Sequence, residues 1–123
     1  MKKLFYPILG FGLLILVWSC TKDNAQDTFG DCNPLDVKLS TEVNPIISAN
    51  NCLACHNTAG APNAGGIDLS NYDHLKASAE NGRLWGALNH EPGFVPMPPS
   101  GTKISECDLL TIKTWIDEGS KDN

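Results

Sequence analysis

The chain has 123 residues, 41% of them hydrophobic, and that length fits one domain. Its 14 acidic residues outnumber 9 basic ones, for a formal net charge of −5. No basic patch exists to release phosphate counterions, so a nucleic-acid surface is not expected.

Met1-Lys2-Lys3 is a short positive start, and residues 4–18 are an apolar run broken by Pro7, Gly10 and Gly12. The run is short for a membrane span and has the proportions of a signal-peptide core. It closes on Leu16-Val17-Trp18-Ser19-Cys20, which resembles the lipobox of bacterial lipoproteins. That resemblance implies a signal peptide over 1–19 and acyl chains on Cys20; the alternative is an uncleaved anchor helix. Either way the domain sits in the cell envelope, lipid-anchored or helix-anchored to a bacterial membrane, periplasmic or surface-exposed. Residues 21–31 are polar without hydrophobic period and read as a flexible tether. The folded domain is expected over 32–119, with 120–123 a tail.

Ser40 is placed to cap a helix running to about Asn51, with Pro45 tolerated near its start. Val43, Ile46 and Ile47 fall on one face of it. The helix delivers Cys52-Leu53-Ala54-Cys55-His56, a C-x-x-C-H motif and the attachment signature of haem c. Two thiols at this spacing add to the two vinyl groups of one haem, and His56 follows as proximal iron ligand. Its other ring N–H is expected to bind a backbone carbonyl, which sets the ring's orientation. Rival uses of the motif are a thioredoxin-like redox pair, half of a zinc site, or a plain disulfide. The first wants a βαβ context and the second wants further ligands at suitable spacing; neither is visible.

Residues 57–66, rich in Gly, Pro and Asn, form a loop. A second helix starts at Ser70 with Tyr72, Leu75 and Ala79 inward, and ends at Asn81-Gly82. Leu84, Trp85 and Leu88 mark a short third helix. Met97 stands in Val95-Pro96-Met97-Pro98-Pro99. Prolines stiffen that segment, so it can hold a thioether against an iron, and a lone Met between prolines is a poor core filler. Met97 is therefore the expected sixth ligand. His74 reads as a surface residue, and His90 as a residue ending a helix, where a cation suits the dipole; bis-His ligation through His90 is the rival. Ser105-Glu106-Cys107-Asp108 is a capping box. Leu109, Ile112 and Ile116 then line one helical face, and Gly119 suits the position after the helix. Trp85 and Trp115 read as core residues. No strand pattern competes, so the fold class is all-α.

The stretches around Cys32, Asn51–His56, Gly65-Gly66-Ile67-Asp68-Leu69, Met97-Pro98-Pro99 and Trp115–Gly119 together resemble small single-haem cytochrome c lipoproteins of bacteria, within the class I cytochrome c superfamily. The resemblance covers residues 32–119. It implies a small helical wrap around one covalent haem, His and Met as axial ligands, and electron carriage rather than enzymatic turnover. The alternative function is a peroxidase-like or ligand-sensing module with an open iron. Implied partners are redox proteins. The surplus of acidic residues reads most simply as a solvated surface, or else as a means of steering towards a basic docking face. With Cys20 assigned to lipid and Cys52 and Cys55 to haem, Cys32 and Cys107 remain as a pair that an oxidising compartment permits to form a disulfide. Two unpaired thiols, or a bond to another chain, are the alternatives.

Overall fold

The structure is a computed structural model and describes residues 32–123. The expected signal peptide, Cys20 and the tether lie outside the described residues. Among the described residues the domain is all-α, with no strand. A π-helical turn, Leu39–Val43, runs into α1 (Asn44–Ala49). Then come α2 (Tyr72–Glu80), α3 (Arg83–Leu88) and α4 (Glu106–Asp117), with 3₁₀ turns at Cys52–Ala54 and Ala61–Asn63.

The entry to α1 differs from the expected cap. The N–H groups of Val43 and Asn44 reach carbonyls five residues back, on Lys38 and Leu39. Pro45, which has no N–H to give, sits in the first turn of α1, where none is needed. Ser40 caps nothing: its N–H and its hydroxyl both donate to the Asn123 carbonyl, at 3.1 and 2.9 Å. The Glu42 carboxylate instead accepts the Lys38 N–H at 2.7 Å. Residues 120–123, read as a tail, thus pack back on the start of the domain; Asn123 Oδ1 also accepts the Leu39 N–H.

Helix α2 is capped by Asn71, one residue beyond Ser70. The Asn71 side chain accepts the His74 N–H at 3.1 Å, while the Ser70 N–H is already given to Asp68. At α4 only half of the capping box forms. Ser105 Oγ accepts the Asp108 N–H, and the Asp108 carboxylate turns to the Asn50 amide at 3.5 Å. The far end of α4 closes as expected. Gly119, at φ +96°, lets the Gly119 N–H reach the Ile116 carbonyl and the Ser120 N–H reach that of Trp115.

The core gathers residues from every helix: Val43 and Ile47, Leu75 and Ala79, Leu84 and Leu88, Ile112 and Trp115. Trp115 is fully buried, and its indole N–H donates to the Lys121 carbonyl. That bond satisfies the one polar group its burial would strand. Trp85 is not a core residue. It is half-buried, with the Lys113 ammonium 5.5 Å from the ring centroid.

Cys32 and Cys107 are joined by a disulfide, with Cα atoms 5.7 Å apart across 75 positions of sequence. A second clamp lies beside it: the Glu118 carboxylate accepts the N–H groups of Asp36 and Val37, both at 2.9 Å. The segment entering the domain is thereby fixed to both ends of α4.

Candidate functional site

On one side the core is open. A cleft of about 540 Å³ lies there, and its floor is made by Ile47, Leu69, Leu84, Leu88, Ile104 and Ile112, all core residues. Its size is that of a cleft for one sizeable ligand. Cys52, Cys55, His56 and Met97 all line it. The structure thus brings together the four residues singled out as cofactor-binding, from two distant stretches of chain. His74 and His90 are not on the lining.

Each is positioned by its own local device. Helix α1 stops at Asn50, and Asn51 adopts a left-handed φ of 55°, turning the chain into the 3₁₀ turn that begins with Cys52. Asparagine tolerates that conformation better than most residues. The turn places Cys52 and Cys55 on the cleft as unpaired thiols, the first half-buried and the second exposed. Burial pushes the Cys52 thiol up, against a smaller opposing effect of a backbone hydrogen bond. A thioredoxin-like pair wants a βαβ context, and the described residues hold no strand. Among the described residues no group of three or more His, Cys, Asp or Glu is gathered closely enough to hold a metal ion, so the zinc reading finds no third ligand among them.

His56 is buried, 8% exposed, and its Nδ1–H donates to the Ile67 carbonyl at 3.0 Å. A carbonyl can only accept, so the proton is on Nδ1 and a neutral ring keeps its lone pair on Nε2. No buried side-chain polar atom among the described residues lacks a partner. Nε2, which bonds nothing among the described residues, is therefore open to the cleft that His56 lines. The same segment holds the backbone, since the Leu69 N–H donates to the His56 carbonyl at 2.8 Å.

The loop between them is built by Asn57. Its side-chain oxygen accepts the N–H groups of Ala59 and Gly60, and its amide donates to the Leu53 carbonyl. A β-carbon at Gly60 would overlap the Cys55 carbonyl oxygen, so glycine is required for this close approach. The loop closes on Asp68, whose carboxylate accepts from Ser70 and Thr58 and lies 3.2 Å from His74 Nδ1. The hydrogen bonds from Ser70 above all, with those from Thr58 and His74, bring the Asp68 pKa down from 3.8 to about 2. A lowered carboxyl pKa means stability that is present above pH 3.8 and lost as the pH falls through about 2. Asp68→Asn should therefore flatten the thermal midpoint against pH across that window, relative to the parent. Parallel acid profiles for the two proteins would refute this role.

Met97 is partly buried against the core. Its N–H donates to the Ala87 carbonyl at 2.9 Å. The imidazole of His90, past the end of α3 and at φ 57°, donates from Nε2 to the Met97 carbonyl at 2.9 Å. His90 is thus neither a ligand candidate by position nor simply a charge at a helix end. Between the two, the Phe94 ring folds onto Gly86, where a β-carbon would meet it at 2.5 Å. Among the described residues Arg83 is the only lysine or arginine on the cleft lining, and its guanidinium donates to the Gly65 carbonyl at 2.7 Å.

Sequence reasoning missed Asn57, Gly60 and Ile67, and it placed His90 at a helix end without its bond to the Met97 carbonyl. The Asn-Thr-Ala-Gly run after His56 carried a turn signal that could have found the first two. No protein-family model matches the chain, and neither a curated protein nor a solved structure matches it.

Proposed function

We propose that the chain is a single-haem electron-transfer protein, anchored to a membrane of the cell envelope through Cys20 and cycling between Fe(II) and Fe(III). One observation carries it: two thiols, an imidazole and a thioether, from residues 52 to 97, line one apolar cleft. The donor set fits haem c. Both thiols are unpaired, the His56 Nε2 lone pair is open to the cleft, and the floor is hydrocarbon. An all-α domain folded around one cleft is compatible with a cytochrome c-like wrap.

When bound, the iron of this group takes up and returns one electron. The chain's part is to hold and to screen. Cys52 and Cys55 would supply two thioether links. His56, its Nδ1–H committed to Ile67, would hold the iron through Nε2 in a fixed orientation. Met97 offers a thioether, which favours the reduced iron and raises the potential. Ile47, Leu84 and Ile112 exclude water from the floor, and a dry surround also shapes the potential.

The test is an optical spectrum of the purified full chain, made in cells that mature c-type cytochromes. A sharp reduced c-type α-band, with haem that stays on the polypeptide in acid–acetone, is expected. Met97→Ala should then keep the haem, lower the potential and admit carbon monoxide at least tenfold faster. Absence of covalent haem from the parent protein would end this proposal. Fast carbon monoxide binding by the parent itself, unchanged in Met97→Ala, would favour an open-iron enzyme or sensor.

A further inference from the structure

We infer that His90 is a positioning residue that fastens Met97 to the cleft, acting through the Met97 backbone rather than as a ligand itself. This rests on the haem reading for its consequence, but not for its geometry.

Besides the packing of Phe94 on Gly86 and of Met97 on the core, few contacts hold the segment that carries Met97. From Pro92 to Pro96 the residues are exposed, Val95 at 72%. Four prolines, at 92, 96, 98 and 99, remove backbone donors from this stretch. Two hydrogen bonds fix the Met97 peptide units, one on each side of its α-carbon. The Met97 N–H goes to Ala87 on α3, and the Met97 carbonyl receives the His90 Nε2–H. The first bond fixes only the amide side of Met97. The second fixes its carbonyl side from α3, because His90 lies two residues past the end of that helix and its backbone is itself tied, N–H to the Ala87 carbonyl at 3.3 Å. The imidazole therefore spans from the end of α3 to the far side of Met97. Its backbone holds a left-handed φ of 57°, a conformation uncommon outside glycine that histidine adopts more readily than most residues, and one compatible with this reach.

A thioether is a weak ligand, so its share of time on the iron depends on how well the loop is held. Loosening the loop lowers that share without detaching the haem. The potential then falls and small ligands gain access.

Two variants separate the donor from the backbone conformation. His90→Gly removes the side chain and accepts the positive φ at no steric cost. His90→Gln keeps an N–H donor of similar reach. Two readouts are needed. Amide hydrogen exchange on the full chain follows the Met97 N–H directly and does not require haem. Carbon monoxide binding and the reduction potential follow the thioether. In His90→Gly the Met97 amide should exchange at least tenfold faster, with Leu75 and Ile112 amides unchanged, and carbon monoxide should bind at least tenfold faster. His90→Gln should restore both towards the parent. Unchanged Met97 exchange in His90→Gly would overturn the inference, and so would an equal acceleration across α4, which would mark His90 as merely structural. If Met97→Ala opens the iron and His90→Gly does not, the inference fails while the haem reading stands. A parent protein without haem removes the functional reading, and the exchange data still decide whether His90 fastens the loop.

Discussion

If the chain carries haem c as proposed, replacing Cys52 and Cys55 together with serine should abolish its covalent attachment and leave a chain with much reduced helical signal. A serine hydroxyl does not add to a vinyl group under the conditions that thiols do, so no thioether forms. The structural cost follows from the cleft. About 540 Å³ of it is floored by six core residues, and without a ligand that hydrocarbon faces water. A domain of this size buries only a modest fraction of its surface and commonly depends on a covalent or metal staple. Haem staining of a denaturing gel reports the first effect, and far-ultraviolet circular dichroism with limited proteolysis the second. Either single serine variant should keep one link and stain weakly. Undiminished staining of the double variant would show that haem is attached elsewhere and would sink the assignment of this motif.

Removing the Cys32–Cys107 disulfide with a pair of serines should strongly destabilise the fold and, if haem is bound as proposed, leave its optical spectrum intact. The bond closes a loop across 75 positions, and loop-closure entropy for that length amounts to roughly 4 kcal/mol. That is a large share of the stability of a small domain, commonly about 5–15 kcal/mol. A fall in the thermal midpoint on the order of 15 °C or more is expected. The Glu118 carboxylate still holds residues 36 and 37 in the variant, so the entry segment keeps one of its two fastenings. Thermal melts of both proteins, with thiol counting under denaturation, make the comparison. A midpoint shift of only a degree or two would mean that the unfolded chain is little constrained by the bond.

The helices were legible because apolar spacing of three and four residues survives folding unchanged: Leu75 and Ala79, Ile112 and Trp115 are buried as their positions suggest. Their starting points were less so. Ser40 and Ser70 look like caps, yet Ser40 is taken by Asn123 and Asn71 does the capping of α2. A side chain that can cap one segment can bind another, and the choice is made by tertiary neighbours. The site was legible in its donors, whose chemistry is carried by the residue type. It was not legible in its acceptors. Nothing in the sequence marks the Ile67 carbonyl as the partner of His56, or that of Met97 as the partner of His90, because every residue carries the same carbonyl. His90 was misread for a related reason. Its position at the end of α3 suggested an interaction with its own helix, whereas its positive φ turns the ring towards residue 97.

The clamp between the two ends of the domain also decides how the molecule bears mechanical load. A stretching force applied to the chain on either side of the domain enters at Cys32 and crosses the covalent bond to Cys107. It leaves along α4 and the residues after it. Residues 33–106, which include α1, the Cys-Leu-Ala-Cys-His turn, the Asp68 latch and the Met97 segment, lie off that line of force. Tension can draw on α4, but it has no direct purchase on the arrangement of donors around the cleft. For a domain held at one side and pulled at the other, the turn carrying Cys52, Cys55 and His56 and the Met97 segment would lie off the direct path of strain, while α4, which brings Ile112 to the cleft floor, would bear it.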